Sequence, residues 1–146
     1  MKLVIEPDSI AAGFKTAQAP EHQLLRFLAN GDYKLLLSAP LLYAYEQSLY
    51  DNRHSLNLKF REIEEALSFI AERAEYVPCH ALWHAVMNKP EKDLSVACAY
   101  IGGADALIVL RPDLYKQAKT TLNLTVLSAK KSLKLFEPPK TKRKAA

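Results

Sequence analysis

The chain has 146 residues, 49% of them hydrophobic and 25% charged, which favours one globular domain with a substantial core. No apolar run reaches the roughly 18 residues needed to cross a bilayer. Glu6 and Asp8 interrupt any apolar leader at the amino terminus, so we expect a cytoplasmic protein with no membrane partner. Cys79 and Cys98 lack CxxC spacing, which favours two buried thiols over a disulfide or a zinc site.

The formal net charge of +4 is concentrated at the carboxyl end of the chain. Residues 130–146 contain seven Lys or Arg and one Glu, so they carry +6 and the remaining residues carry −2. We therefore divide the chain into a folded domain, residues 1–136, and a basic, disordered tail, residues 137–146. Such a tail suits contact with nucleic-acid phosphates, and it equally suits a solubilising terminus.

Apolar runs and helical periodicities alternate along the domain. The patterns predict strands at residues 2–5, 33–37, 76–79, 106–110 and 125–127. They predict helices at residues 20–30, 38–51, 58–75, 93–101 and 115–122, with a helical turn at residues 82–87. Ser38 is the expected N-cap of the second helix, and Pro7 is expected to break the first strand. Strands that alternate with helices indicate an α/β fold with a mostly parallel central sheet.

Three acidic residues lie where such a sheet binds ligands, beyond the carboxyl ends of its strands. Glu6 directly follows the first predicted strand, and Asp8 comes two residues later. Asp93 is expected to begin the helix that precedes the strand at 106–110. Carboxylates that converge from distant parts of a chain suit Mg²⁺ or Mn²⁺ and phosphodiester hydrolysis. Spacing alone favours the simpler interpretation, in which these acids are helix caps and solvated charges.

Four segments, in order, resemble the characteristic motifs of PIN domains. They are Met1–Asp8, Ser38–Glu46, Leu82–Asp93 and Gly103–Val109, the third beginning with Leu-Trp and containing Pro90. The resemblance covers about residues 1–136 and is to the branch that contains toxin components of prokaryotic toxin–antitoxin systems. It implies a three-layer α/β/α domain and metal-dependent ribonuclease chemistry.

The resemblance also implies a set of site residues. Glu6 and Asp93 fall on catalytic, metal-binding acids of the family, and Asp8 is placed to assist as a third metal ligand. The family's second acid falls on Ala44. Glu46 is nearby in sequence, but two residues correspond to about 200° of helical rotation, so we expect it to point away.

Cations surround the remaining acids. Lys89 and Lys92 stand where the family has acidic neighbours of Asp93, and Arg111 follows the fourth predicted strand. A lysine repels a divalent ion, so we expect Mg²⁺ or Mn²⁺ to bind weakly or not at all. The same three cations could hold phosphates, and a solvated surface explains them equally well.

Two main functional hypotheses follow. In the first, the protein is a Mg²⁺-dependent endoribonuclease toxin with an antitoxin protein as partner. In the second, it is an inactive PIN relative that binds RNA or a protein. In a third, the chain keeps only the fold and has neither activity nor partner.

Tyr43, Tyr45 and Tyr50 share one predicted helix and would suit either a homodimer face or ordinary packing. We assign no catalysis to Ser9, which lacks an evident base, and we interpret Asp105 as a cap or turn residue and not as a ligand.

Overall fold

The computed structural model describes residues 1–79 and 90–137. Its strands are β1 (Lys2–Ile5), β2 (Lys34–Leu37), β3 (Ala74–Tyr76), β4 (Ala106–Ile108) and β5 (Val126–Leu127). Its α-helices are α1 (Pro7–Gly13), α2 (Pro20–Ala29), α3 (Ala39–Asp51), α4 (Arg53–Leu56), α5 (Phe60–Arg73), α6 (Pro90–Gly102), α7 (Lys116–Leu122) and α8 (Ala129–Ser132). Two 3₁₀ segments, Pro112–Tyr115 and Leu133–Phe136, follow β4 and α8.

The five strands form one sheet in the order β3-β2-β1-β4-β5, and every neighbouring pair is parallel. The predicted α/β class and parallel sheet are therefore confirmed, and the arrangement is consistent with a three-layer α/β/α fold. Parallel strands place all their carboxyl ends at one edge. The strand order reverses direction between β1 and β4, and a crevice forms at the carboxyl edge of such a switch point.

The inner strands β1, β2 and β4 are short, mostly apolar runs because the sheet is covered on its faces, whereas the edge strand β3 is Ala-Glu-Tyr. Leu3, Val4, Leu35 and Leu36 have no solvent exposure. Helix α3 adds Tyr45, which is fully buried and donates its hydroxyl to the carbonyl of Ile5 at 2.6 Å.

The tyrosines of α3 do not form a common face. Tyr45 lies in the core, whereas 62% of Tyr43 is exposed and Tyr50 packs near Phe60 with ring centroids 5.6 Å apart. Phe60, which the helical periodicity places on the buried stripe of its helix, is 59% exposed because it is the first residue of α5. The α3 tyrosines therefore do not support a single dimer face.

Proline and serine set the helix starts at the carboxyl edge of the sheet. Ser38 caps α3 as predicted, and its Oγ accepts the amide hydrogen of Leu41 at 3.2 Å. Pro7 begins α1 instead of only ending a strand, because proline is favoured at the first helical position. Helix α6 begins at Pro90, so Asp93 is its fourth residue and not its first. The helical turn predicted at 82–87 lies outside the described residues.

Among the described helices, none combines the length and the apolar character needed to cross a membrane.

Candidate functional site

A cleft of about 430 Å³ opens at the carboxyl end of β1, at the switch point of the sheet. Residues from α1, α3 and α6 and from the segment after β4 form its walls. Its lining includes Glu6, Asp8, Ala44, Ser48, Asp51, Lys92 and Tyr115. Two of the three predicted acids, Glu6 and Asp8, therefore meet in one concave site.

Glu6 lies at the back of this cleft with only 8% of its surface exposed. One carboxylate oxygen, Oε1, accepts the backbone amide of Leu110 at 2.6 Å and the Ser9 hydroxyl at 3.4 Å. The other, Oε2, accepts the hydroxyl of Tyr115 at 2.6 Å. Both carboxylate oxygens thus already accept hydrogen bonds from the protein. Through these bonds the side chain connects β1 to α1 and to the segment that follows β4.

Burial raises the pKa of Glu6 above its ordinary value, and the nearby carboxylate of Asp8 raises it further. The hydrogen bonds from Tyr115 and Leu110, and the charge of Lys92, lower the pKa but do not cancel the effect of burial. Glu6 therefore holds its proton more readily than a carboxyl group in water.

Helix α3 presents a polar face to the cleft. Ala44, Gln47, Ser48 and Asp51 follow the helical spacing of three, four and seven residues, and all line the site. The Ser48 hydroxyl donates to the Asp8 carboxylate at 3.3 Å. Glu46 lines a separate groove between α3 and α5, as its helical rotation predicts.

Lys92 brings a positive charge into the same cleft. Its Nζ lies 6.0 Å from the centre of the Tyr115 ring, at the outer limit of a cation–π contact. It is also near enough to Glu6 to lower the pKa of that carboxyl group. A positive charge therefore lies in the same cleft as the carboxyl groups of Glu6 and Asp8.

The other predicted site residues are placed differently. Asp93 is buried, with 7% of its surface exposed, and does not line the cleft. Arg111 forms an exposed ion pair with Asp113, with Nη2 and Oδ2 2.9 Å apart. Asp113 holds the pKa of Arg111 above its ordinary value, and Arg111 lowers the pKa of Asp113. Lys89 lies outside the described residues.

The described donors in the cleft do not form a group suited to a divalent ion. Within residues 1–79 and 90–137, no three His, Cys, Asp or Glu side chains form a group that could hold a metal. The predicted ligands Glu6, Asp8 and Asp93 therefore do not form such a group. Glu6 faces hydrogen-bond donors instead of an open position, and Lys92 opposes a second positive charge.

Four groups of this site were not predicted from the sequence: Tyr115, the amide of Leu110, Ser48 and Asp51. Tyr115 and the amide of Leu110 lie more than one hundred residues from Glu6 in the chain, and no spacing rule connects them to it. Asp51 and Ser48 did carry a signal, because they follow Ala44 at seven and four residues on the same helix. Asp105, which was not predicted to be a ligand, lies just before β4, and its Oδ2 accepts the amide hydrogen of Lys2 at 2.8 Å, at the opposite edge of the sheet.

No protein-family model matches this sequence, and neither does any curated protein.

Proposed function

We propose that this protein is a PIN-like domain, related to the toxins of toxin–antitoxin systems, that binds RNA without hydrolysing it. The observation that carries the proposal is the chemistry of the cleft. Glu6 is engaged by three donors, and Lys92 contributes the positive charge that a metal would supply in a nuclease. A fixed ammonium group can contact a phosphate, but it does not activate a water molecule for attack on phosphorus.

Charge distribution supports RNA as the ligand. Residues 130–146 carry +6, and Lys89 and Lys92 add cations near the amino end of α6. The described chain reaches Glu137, where Phe136 stacks on Phe27 with centroids 4.5 Å apart and contacts Tyr33 just before β2. Phe136 therefore lies at the amino edge of the sheet, opposite the cleft.

The terminal segment, residues 138–146, contains four Lys or Arg, which suits contact with phosphates. Sequence-independent contacts to phosphates, as from such a segment, make binding strongly salt-dependent.

The first test is incubation of purified protein with mixed RNA in buffers that contain Mn²⁺, Mg²⁺ or a chelator. We expect RNA to be retained by the protein in all three buffers and to remain intact. Degradation that requires Mn²⁺ or Mg²⁺ would instead establish the endoribonuclease. Asp93→Asn should then abolish that degradation if Asp93 is a ligand, and Glu46→Gln, outside the cleft, is the matched control. Absence of RNA binding in every buffer would overturn the proposal. The hypothesis that the domain binds a protein partner would then remain.

The second test measures how RNA affinity depends on salt. Deleting residues 138–146 removes four cations, so the slope of log affinity against log salt should become shallower by up to about 3 for single-stranded RNA. Lys92→Gln should reduce the slope by less than about 1. An unchanged slope in both variants would show that these cations do not contact phosphates.

A further inference from the structure

Two cysteines meet at the carboxyl edge of β2 and β3. Ser38 directly follows β2, and the amide of Val77 donates to the carbonyl of Leu37 at 2.9 Å, which extends the pairing of the two strands. Cys79 comes two residues after Val77 and packs against the main core with its side chain partly exposed.

Helix α6 brings the second cysteine to the same place. A Cβ at Gly102 would lie 2.8 Å from a methyl of Leu36 and 2.9 Å from a methyl of Val77, so α6 packs directly on the β2–β3 pair. Cys98 lies one helical turn before Gly102, on the same face, and is fully buried.

The pKa of each thiol is influenced by the other thiol and by the Ser38 side chain, so these three groups lie close together, as the packing of α6 on β2 and β3 requires. The pair is asymmetric, because Cys79 is partly exposed and Cys98 is fully buried.

We propose that Cys79 and Cys98 form a reversible redox pair that is oxidised to an intramolecular disulfide by hydrogen peroxide. The Cys79 thiolate attacks one peroxide oxygen, giving Cys79 sulfenic acid and releasing hydroxide, which takes up a proton to become water. The Cys98 sulfur then attacks the Cys79 sulfur, the S–O bond breaks, and the departing hydroxide takes the Cys98 proton. Two thiols and one peroxide yield one disulfide and two waters.

The surroundings of the thiols determine the rate of this reaction. Burial raises the pKa of Cys79, and burial together with the neighbouring Cys79 raises the pKa of Cys98 to about 12. Since the thiolate is the nucleophile, the first step should be slow at neutral pH and accelerate about tenfold per pH unit below the pKa of Cys79.

The disulfide would connect the end of β3 to α6, the helix that carries Lys92 into the cleft. It closes a loop of about 20 residues, long enough for a clear gain in stability by restriction of the unfolded chain. The inference does not depend on whether the protein binds RNA.

The test treats the reduced, full-length protein with hydrogen peroxide at a pH near 8.5. We expect both thiols to disappear, the mass to fall by two hydrogens, and a peptide map without reductant to show Cys79 joined to Cys98. The melting temperature should rise by roughly 5–10 °C, and dithiothreitol should reverse all these changes.

Cys79→Ser is the matched control because it removes the accessible sulfur and keeps the buried one. It should neither lose the mass of two hydrogens nor gain thermal stability after peroxide. Persistence of both thiols in the wild-type protein would overturn the proposal, as would a mass gain from added oxygen or a disulfide between two molecules. These readouts come from the wild-type chain, so they decide the question even if a cysteine variant does not fold.

Discussion

Glu6 is the residue that most strongly links the fold to the cleft. It accepts hydrogen bonds from Ser9, Leu110 and Tyr115, which belong to three different segments. A carboxyl group buried in this way is costly when charged, and the donors offset part of that cost. Glu6 is therefore as much a structural connector as a candidate ligand.

Replacing Glu6 with Gln should make the protein's stability less sensitive to pH. Burial raises the folded-state pKa of Glu6 above 4.5, so the unfolded chain loses this proton first as the pH rises. The stability that the protonated group contributes is complete below the unfolded pKa and is lost as the pH rises through the folded pKa. Glutamine does not titrate, and its amide can donate to Tyr115, whose hydroxyl can also accept.

The measurement is thermal unfolding of wild type and Glu6→Gln from pH 4 to pH 8. The melting temperature of the variant relative to wild type should increase with pH. Glu46→Gln, outside the cleft, reports the general effect of removing one carboxylate. A difference between Glu6→Gln and wild type that stays constant or falls with pH would contradict the raised pKa.

Helix α6 joins three features of the molecule. Its first half carries Lys92 into the cleft and contains the buried Asp93, and its second half places Cys98 and Gly102 against β2 and β3. Small residues let the helix approach the sheet closely, which explains the run of Ala, Cys and Gly in its sequence.

Gly102→Ala should destabilise the domain by about 1–3 kcal/mol, because the new methyl group would overlap the side chains of Leu36 and Val77. Gly103→Ala is the matched comparison one residue later, where a Cβ meets no atom within 4 Å but φ is +67°. There the cost should be about 1 kcal/mol, from backbone strain alone.

Urea unfolding of both variants measures the two costs. Only Gly102→Ala should regain stability when the neighbouring Val77 is shortened to Ala, since only that variant is limited by a steric overlap. Equal costs for the two glycine variants, with no such rescue, would show that the packing of α6 on the sheet is not tight.

At the scale of the whole molecule, the sheet separates two chemically different ends. The cleft at the carboxyl edge is lined by Glu6, Asp8, Asp51 and a single described cation, Lys92. At the amino edge, Phe136 packs against Phe27 and Tyr33, and most of the basic residues of the carboxyl terminus follow Phe136 in the sequence. The charge of +4 therefore does not describe the surface around the cleft.

Adding an acid to the cleft should create a binding site for a divalent ion. Ala44 lines the cleft beside Glu6 and Asp8, so Ala44→Asp combined with Lys92→Gln adds a carboxylate and removes the opposing ammonium. We expect millimolar Mn²⁺ to raise the melting temperature of this double variant. The free energy of unfolding should increase by about 1.4 kcal/mol for each tenfold excess of the Mn²⁺ concentration over Kd.

The control for that design is Ala44→Asn with Lys92→Gln, which has nearly the same shape but no added charge. It should show no response to Mn²⁺, and neither should the wild-type protein. A stabilisation of wild type by Mn²⁺ would mean that the native cleft already binds the ion, and would favour the nuclease hypothesis.

Local patterns were sufficient for most elements of the fold. The apolar runs at 2–5 and 33–37 became β1 and β2 nearly residue for residue, and Ser38 caps α3 as its sequence position predicts. The strand predicted at 76–79 instead lies at Ala74–Tyr76, because pairing with Leu35–Leu37 sets its position and its own residues are only weakly strand-forming.

The candidate site was predictable only in part. The position of Glu6 after the first strand followed from the topology rule for parallel sheets, and the rotation of Glu46 away from the cleft followed from helix geometry. The partners of Glu6 did not follow, because contacts between residues so far apart in sequence depend on how β1 and β4 pair.

By itself, the sequence determined most of the helices and strands, though not α1, α4 or α8, and it determined that the sheet is parallel and that acids and lysines cluster near strand ends. These properties depend on local periodicity, caps and charge, which short stretches of chain contain. Only the tertiary structure decided that Glu6 is enclosed by donors, that Lys92 shares its cleft while Asp93 does not line it, and that Cys79 and Cys98 lie close together. The physical reason is that sheet pairing and helix packing bring distant residues together, and no local pattern encodes those distances.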